Sequence, residues 1–166
     1  MAYTVVRTDN MTGTKVESQL ASVRYMGADG STPTELENGS VIKLGDLIDG
    51  EREVYIGTDM TGTEKINEVV LVVAPEVMYD ERKSLLTQYI AYAGKNCRGY
   101  YFNTNDKFSM TAEGFTGTPE KGAIVELAAG TKLNAVSSAT GATVVGKIED
   151  VETVGSLTYY MVKVTG

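Results

Sequence analysis

The 166-residue chain has no histidine and no tryptophan, one cysteine, three prolines and only three phenylalanines. Without histidine there is no Ser-His-Asp triad, no Cys-His dyad, no His-liganded zinc and no imidazole acid-base chemistry at neutral pH. The lone thiol, Cys97, cannot close an intramolecular disulfide. Zinc and redox frameworks need a second thiol close by, so Cys97 reads as a small buried apolar group. The longest apolar run, Val69 to Ala74, falls far short of the roughly twenty residues that a spanning helix needs. The opening residues, Met1-Ala2-Tyr3-Thr4-Val5-Val6-Arg7, lack the basic and apolar regions of a secretion signal. The expectation is a protein made in the cytoplasm, with no membrane contact. Asn10 and Asn38 begin N-x-[ST] triplets, which then read as chance matches.

Basic charge is also scarce. Fifteen Lys and Arg face twenty-two Asp and Glu, a net charge of −7, and the closest basic groupings are Arg82-Lys83 and the pair Lys95, Arg98. Tracking a phosphate backbone requires clustered cations that release counterions, so nucleic acid is not an expected partner.

What the chain does have is 42% hydrophobic residues, with Thr and Val the commonest types. That apolar content supports a folded core and excludes disorder as the main state. β-branched residues and tyrosines suit a pleated surface better than a helix. Alternating or continuous apolar segments predict strands over Tyr3–Thr8, Ala21–Met26, Val41–Leu44, Glu53–Gly57, Glu68–Ala74, Tyr100–Asn103, Phe108–Thr111, Ile124–Leu127, Lys132–Val136, Thr143–Glu149 and Thr158–Val164. Asp29-Gly30, Asn38-Gly39, Asp49-Gly50, Gly117-Thr118-Pro119 and Thr140-Gly141 punctuate them as turns. The expected fold is mainly β, built of short-stranded sandwich or barrel-like lobes.

One segment breaks the pattern. From Asp80 to Ala93 the residues Leu85, Leu86, Tyr89, Ile90 and Ala93 recur at helical spacing, with Asp80 able to cap and Gly94 able to terminate. This predicts a short amphipathic helix near 80–93. It would divide a β-rich N-terminal lobe, 1–93, from a β-rich C-terminal lobe, 94–166, unless the two form one compact domain. The echo between Thr8–Thr14 and Thr58–Thr63 involves loop residues alone and reads as shared turn chemistry.

Catalytic motifs fare poorly. Gly117 to Gly122 has the glycine spacing of a phosphate-binding loop but continues with Ala123-Ile124, where lysine and a hydroxyl are required. No G-x-S-x-G elbow or S-x-x-K pattern occurs. Carboxylate pairs can hydrolyse glycosides without histidine. However, Glu51, Glu53, Glu149, Asp150 and Glu152 lie beside turns or alternate along strands, as solvent-facing charges do. Asn103, Asn105 and Asp106 lack the glycine and distal glutamate of a calcium loop. Tyr100-Tyr101-Phe102 and Tyr159-Tyr160 could stack on sugars, but neighbours on a strand face opposite ways, leaving them as core or interface residues. No catalytic, cofactor or metal site is expected, and the protein reads as a non-enzyme.

Three stretches carry a resemblance: Leu44-Gly45-Asp46-Leu47-Ile48-Asp49-Gly50-Glu51-Arg52-Glu53-Val54, then Ala74-Pro75-Glu76-Val77-Met78-Tyr79-Asp80-Glu81-Arg82-Lys83, then Val144-Val145-Gly146-Lys147-Ile148 leading to Thr158-Tyr159-Tyr160. With Gly122 to Leu127 between the last two, the chain resembles head decoration, head fibre and auxiliary capsid proteins of tailed phages and prophages of Gram-positive bacteria. The resemblance runs from about Tyr3 to Val164 and its motifs are structural. It implies a virion structural protein on the capsid surface whose partner is the major capsid protein. Self-association, as a trimer or otherwise, stays open. The resemblance gives the Met1–Thr14 region a candidate role as a capsid-contact arm, with Tyr3, Val5, Val6 and Arg7 adding a strand to an exposed edge of the coat protein. The same strand could equally be internal to the domain. The alternatives are a β-rich module displayed on the particle for a host-surface glycan or receptor, and a small carboxylate hydrolase.

Overall fold

A computed structural model describes residues 2–7, 19–78, 80 and 85–166. The chain is mainly β. Five strands, β2 (Leu20–Tyr25), β3 (Val41–Leu47), β4 (Val54–Thr58), β6 (Val69–Val72) and β7 (Asn96–Tyr101), close a barrel in the order β2-β4-β3-β6-β7. All its pairings are antiparallel except β2 with β4. A seven-stranded sheet has the order β1-β8-β14-β13-β10-β12-β9. Its members are β1 (Val6–Arg7), β8 (Lys107–Thr111), β9 (Phe115–Gly117), β10 (Ile124–Glu126), β12 (Leu133–Val136), β13 (Val144–Val154) and β14 (Leu157–Val164). Two short strands, β5 (Met60–Thr61) and β11 (Ala129–Gly130), pair between the barrel segment and the sheet segment.

Strand β6 shows why the pieces form one body. All four of its residues are buried. Period-2 geometry sends alternate side chains to opposite faces. Val70 and Val72 join Val23, Ile42 and Cys97 in the barrel interior. Val69 and Leu71 join Val41, Met110, Val125, Leu133, Val145 and Val162 in the larger core between barrel and sheet. An unbroken apolar run is what a strand buried on both faces requires. The barrel is narrow enough that a Cβ on Gly57 would lie 2.6 Å from Ile42 Cδ1 and 2.8 Å from Val23 Cγ2. Only glycine leaves those two side chains room to fill the interior.

Buried polar groups tie the lobes down. Asn38 is 1% exposed. Its Nδ2 donates to the Ala74 carbonyl at 3.0 Å and its Oδ1 accepts from the Ala74 N–H at 2.8 Å, so the amide replaces a missing strand at the end of β6. Glu126 is fully buried and accepts from the Thr140 N–H at 2.8 Å and the Thr140 hydroxyl at 2.6 Å, clipping the loop between β12 and β13.

The amphipathic helix expected near 80–93 is corrected. Residues 81–84 lie outside the described set, and the rest forms one 3-10 turn at Leu86–Gln88, flanked by extended Leu85 and Tyr89. The apolar spacing misled because Leu85 and Leu86 face solvent at 62% and 47% exposure, while Tyr89 and Ala91 are buried two apart, as in a strand. Ala91 forms an isolated antiparallel bridge with Leu36. The strands also cross the expected division between 93 and 94. β7 follows that point and closes the barrel, whereas β1, at the N-terminus, pairs with β8 in the large sheet.

Candidate functional site

The expected contact residues form the N-terminal edge of the large sheet. Val6 pairs with Met110 and Arg7 with Ser109. Val5 and Val6 are 2% and 5% exposed. The Val5 N–H donates to Thr111 Oγ1 at 3.1 Å, and the Thr111 N–H returns a bond to the Val5 carbonyl at 2.9 Å. Tyr3 N–H donates to the Thr87 carbonyl at 2.9 Å, and the Thr4 hydroxyl reaches Glu37 at 3.3 Å. The strand is therefore internal to the domain, and its valines are consumed by the core. Thr8, the expected end of this strand, lies outside the described residues.

An open groove of about 340 Å³ lies beside that strand, lined by Val5, Val6, Arg7, Glu76, Leu86, Val154 and Tyr159. Its floor is the outer face of the large sheet. One wall is the 3-10 turn at Leu86–Gln88, held there by the Tyr3–Thr87 bond. The opposite wall is the end of the β13–β14 hairpin. Arg7 crosses the floor, with its Nη1 2.8 Å from Glu152 and its guanidinium 5.5 Å from the Tyr159 ring centre. Glu76 is an exposed residue, yet its carboxyl lies against the groove wall. That partial burial raises it above the ordinary carboxylate range, with the Asn38 amide pulling the other way. Leu86 and Val154 are 47% and 46% exposed, and the chain neighbours Val77 and Leu85 reach 63% and 62%. Leu86 and Val154 are thus the two exposed aliphatic side chains in the groove lining.

The other sequence candidates resolve into structure. The Lys107 contact, with Lys163 beside it, holds Glu149 below its usual range, and Lys121 at 2.9 Å does the same for Asp150. A general acid needs the opposite shift. Glu51 pairs with Arg24 at 3.3 Å. Asn103 and Asp106 bond to each other across the turn between β7 and β8. Among the described residues, no three His, Cys, Asp or Glu side chains converge to hold a metal ion. Of the aromatic candidates, Tyr160 meets Phe115 edge-on at 6.1 Å, Tyr159 lies buried beside Arg7, and Phe102 packs on Phe108 at 5.7 Å. Cys97 is buried in the barrel, and burial pushes its thiol up against the opposing pull of Lys95.

Sequence reasoning found Val5, Val6 and Arg7 but missed Glu76, Leu86, Val154 and Tyr159 as their neighbours. These residues are far apart in the chain: Tyr159 and Val154 arrive through the pairing of β1 with β8, β8 with β14 and β14 with β13, and Leu86 through the Tyr3–Thr87 bond. Comparison with protein-family models, with curated proteins and with solved structures finds no match.

Proposed function

We propose that the protein is a non-enzymatic virion component that binds the major capsid protein and decorates or stabilises the phage head. The observation that carries this reading is the groove beside β1, with the exposed aliphatic side chains of Leu86 and Val154 in its lining. An accessory shell protein needs a stiff surface to present to a lattice. Here the groove floor is formed on β1 and β14, whose Val6, Val162 and Val164 belong to the continuous core. The resemblance in the Leu44–Val54, Ala74–Lys83 and Val144–Ile148 stretches supplies the class of partner. Attachment at many equivalent lattice sites makes modest affinity per copy sufficient.

The test is co-sedimentation of the purified protein with expanded capsids that lack it. Saturable attachment at a fixed ratio to the coat protein is expected, and Leu86→Lys and Val154→Lys should each weaken it, because both side chains already face solvent in the free protein. Capsids that bind no protein at any concentration would remove the reading.

A further inference from the structure

Resting on that capsid-binding reading, we propose that the end of β13, Asp150 to Val154, is a strand-acceptor edge that takes an extended segment of the partner whose side chains alternate basic and β-branched.

Among the described residues the edge is open, for a structural reason. β10 pairs with β13 only over Val144 to Lys147, and the last backbone bonds on that side join Ile148 to Ala123 and Gly122. The chain then turns away, with the Ala123 N–H bonded to the Glu120 carbonyl. On its other side β13 stays paired with β14 to the tip, through Val151↔Tyr160, Glu152↔Tyr159, Thr153↔Thr158 and Val154↔Leu157. Residues 150–156 are all exposed, and no described strand lies along the outer side of 150–154.

Hairpin geometry says which groups point outward. Gly155 has φ 62° and Ser156 does not have positive φ, the type II′ arrangement of a two-residue loop. The flanking pair Val154↔Leu157 then exchanges both backbone bonds, and the pattern alternates back along the strand. Glu152 faces β14 in the same way. The N–H and C=O of Val151 and Thr153 point to the open side. The Val151 N–H is met by the Asp150 carboxylate. An incoming strand can take these groups as the next rung of the sheet, a recognised route of peptide capture.

The flanking side chains describe the occupant. Asp150, Glu152 and Val154 share one face, with carboxylates that keep 56% and 58% exposure while paired to Lys121 and Arg7. Val151 and Thr153 share the other, continuing the core side of the sheet. Cross-strand neighbours of opposite charge and of β-branched type are favoured. A second copy fits poorly, because pairing two edges about Glu152 sets Glu152 against Glu152, and like charges directly opposite are destabilising. The proposal thus adds a second direction of strand exchange: β1 pairs with β8 at one end of the sheet, and at the end of β13 this chain accepts a strand.

The test uses the full chain and the probe peptide acetyl-Thr-Lys-Val-Lys-Val-Lys-Thr-amide. Amide exchange followed by NMR should show slowed exchange at Val151 and Thr153 on titration. A backbone N-methylated peptide, or the Thr153→Pro variant, which removes one outward N–H, should bind about tenfold more weakly, the value of roughly one hydrogen bond. Unchanged exchange at both amides, or full binding by the N-methylated peptide, overturns the proposal. So does protection of these amides without peptide in a dimer, which assigns the edge to a second copy. Thr153→Pro that attaches to capsids like wild type removes the edge as the contact while leaving capsid binding intact. Wild type that takes the peptide but ignores capsids removes the functional reading alone.

Discussion

Replacing Asn38 by aspartate changes one atom group and removes the donor of one buried hydrogen bond. In the native protein the amide gives a proton to the Ala74 carbonyl at 3.0 Å and takes one from the Ala74 N–H at 2.8 Å, at a position 1% exposed. Asn38→Ala leaves both Ala74 groups unpaired, at about 1–3 kcal/mol for each buried polar group abandoned. Asn38→Asp keeps the acceptor but sets a carboxylate oxygen against the carbonyl, beside the Glu76 carboxyl that Asn38 now contacts. An unpaired buried charge costs about 3–5 kcal/mol, so at neutral pH the aspartate variant is at least as unstable as the alanine one. The introduced carboxyl has a folded-state pKa raised above the ordinary value of about 3.9. Its penalty is therefore complete above that raised value, shrinks as pH falls through it and is absent below about 3.9. Protonated, it regains the donor and should approach wild type. Urea unfolding of wild type, Asn38→Ala and Asn38→Asp at neutral pH and again near pH 4 measures this directly. The reasoning is refuted if Asn38→Asp stays within about 0.5 kcal/mol of wild type at neutral pH, the range of ordinary surface changes.

Other outcomes follow from the same geometry. Gly57→Ala should destabilise by about 1–3 kcal/mol through overpacking, and adding Ile42→Val, which removes the Cδ1 2.6 Å from the new methyl, should recover part of that loss in a double-mutant cycle of unfolding free energies. Val6→Ala should cost about 2 kcal/mol in thermal or urea unfolding, the value of a buried valine side chain, because Val6 belongs to the main core. Burial opposes ionisation of Glu64, yet the Thr61 N–H and hydroxyl and the Gly62 N–H hold its carboxyl below 4.5. A depressed carboxyl stabilises above its unfolded value and loses that contribution as pH falls through the folded one. Glu64→Gln should accordingly flatten the acid limb of a stability-against-pH curve. Cys97 should react with a thiol reagent only as fast as the barrel opens, so its rate should rise with urea in step with unfolding.

Most of the strands were legible because their apolar residues alternate or run together between turn residues, and each segment expected after residue 20 overlaps an observed strand. The pairing was harder to read. The parallel contact of β2 with β4 that closes the barrel joins Ser22 to Val54, with β3 intervening in sequence, and no local signal marks it. β5, β9 and β11 escaped because they are two or three residues long and, unlike β10 in Ile124–Leu127, have no run of apolar residues to mark them. The false helix came from reading Leu85 and Leu86 as a buried face, when the turn leaves both in solvent. The groove escaped for the opposite reason: Glu76, Leu86 and Val154 acquire meaning only from where the tertiary fold puts them. Its fixed part, Val5 to Arg7, was readable from three residues at the N-terminus.

Cryo-electron microscopy of expanded heads saturated with the purified protein tests the capsid-binding claim most directly. The account predicts ordered density for the barrel and sheet at one repeating class of lattice position, with the groove between β1 and the hairpin end of β13–β14 turned toward the coat protein. Heads whose surface is identical with and without the added protein would contradict it.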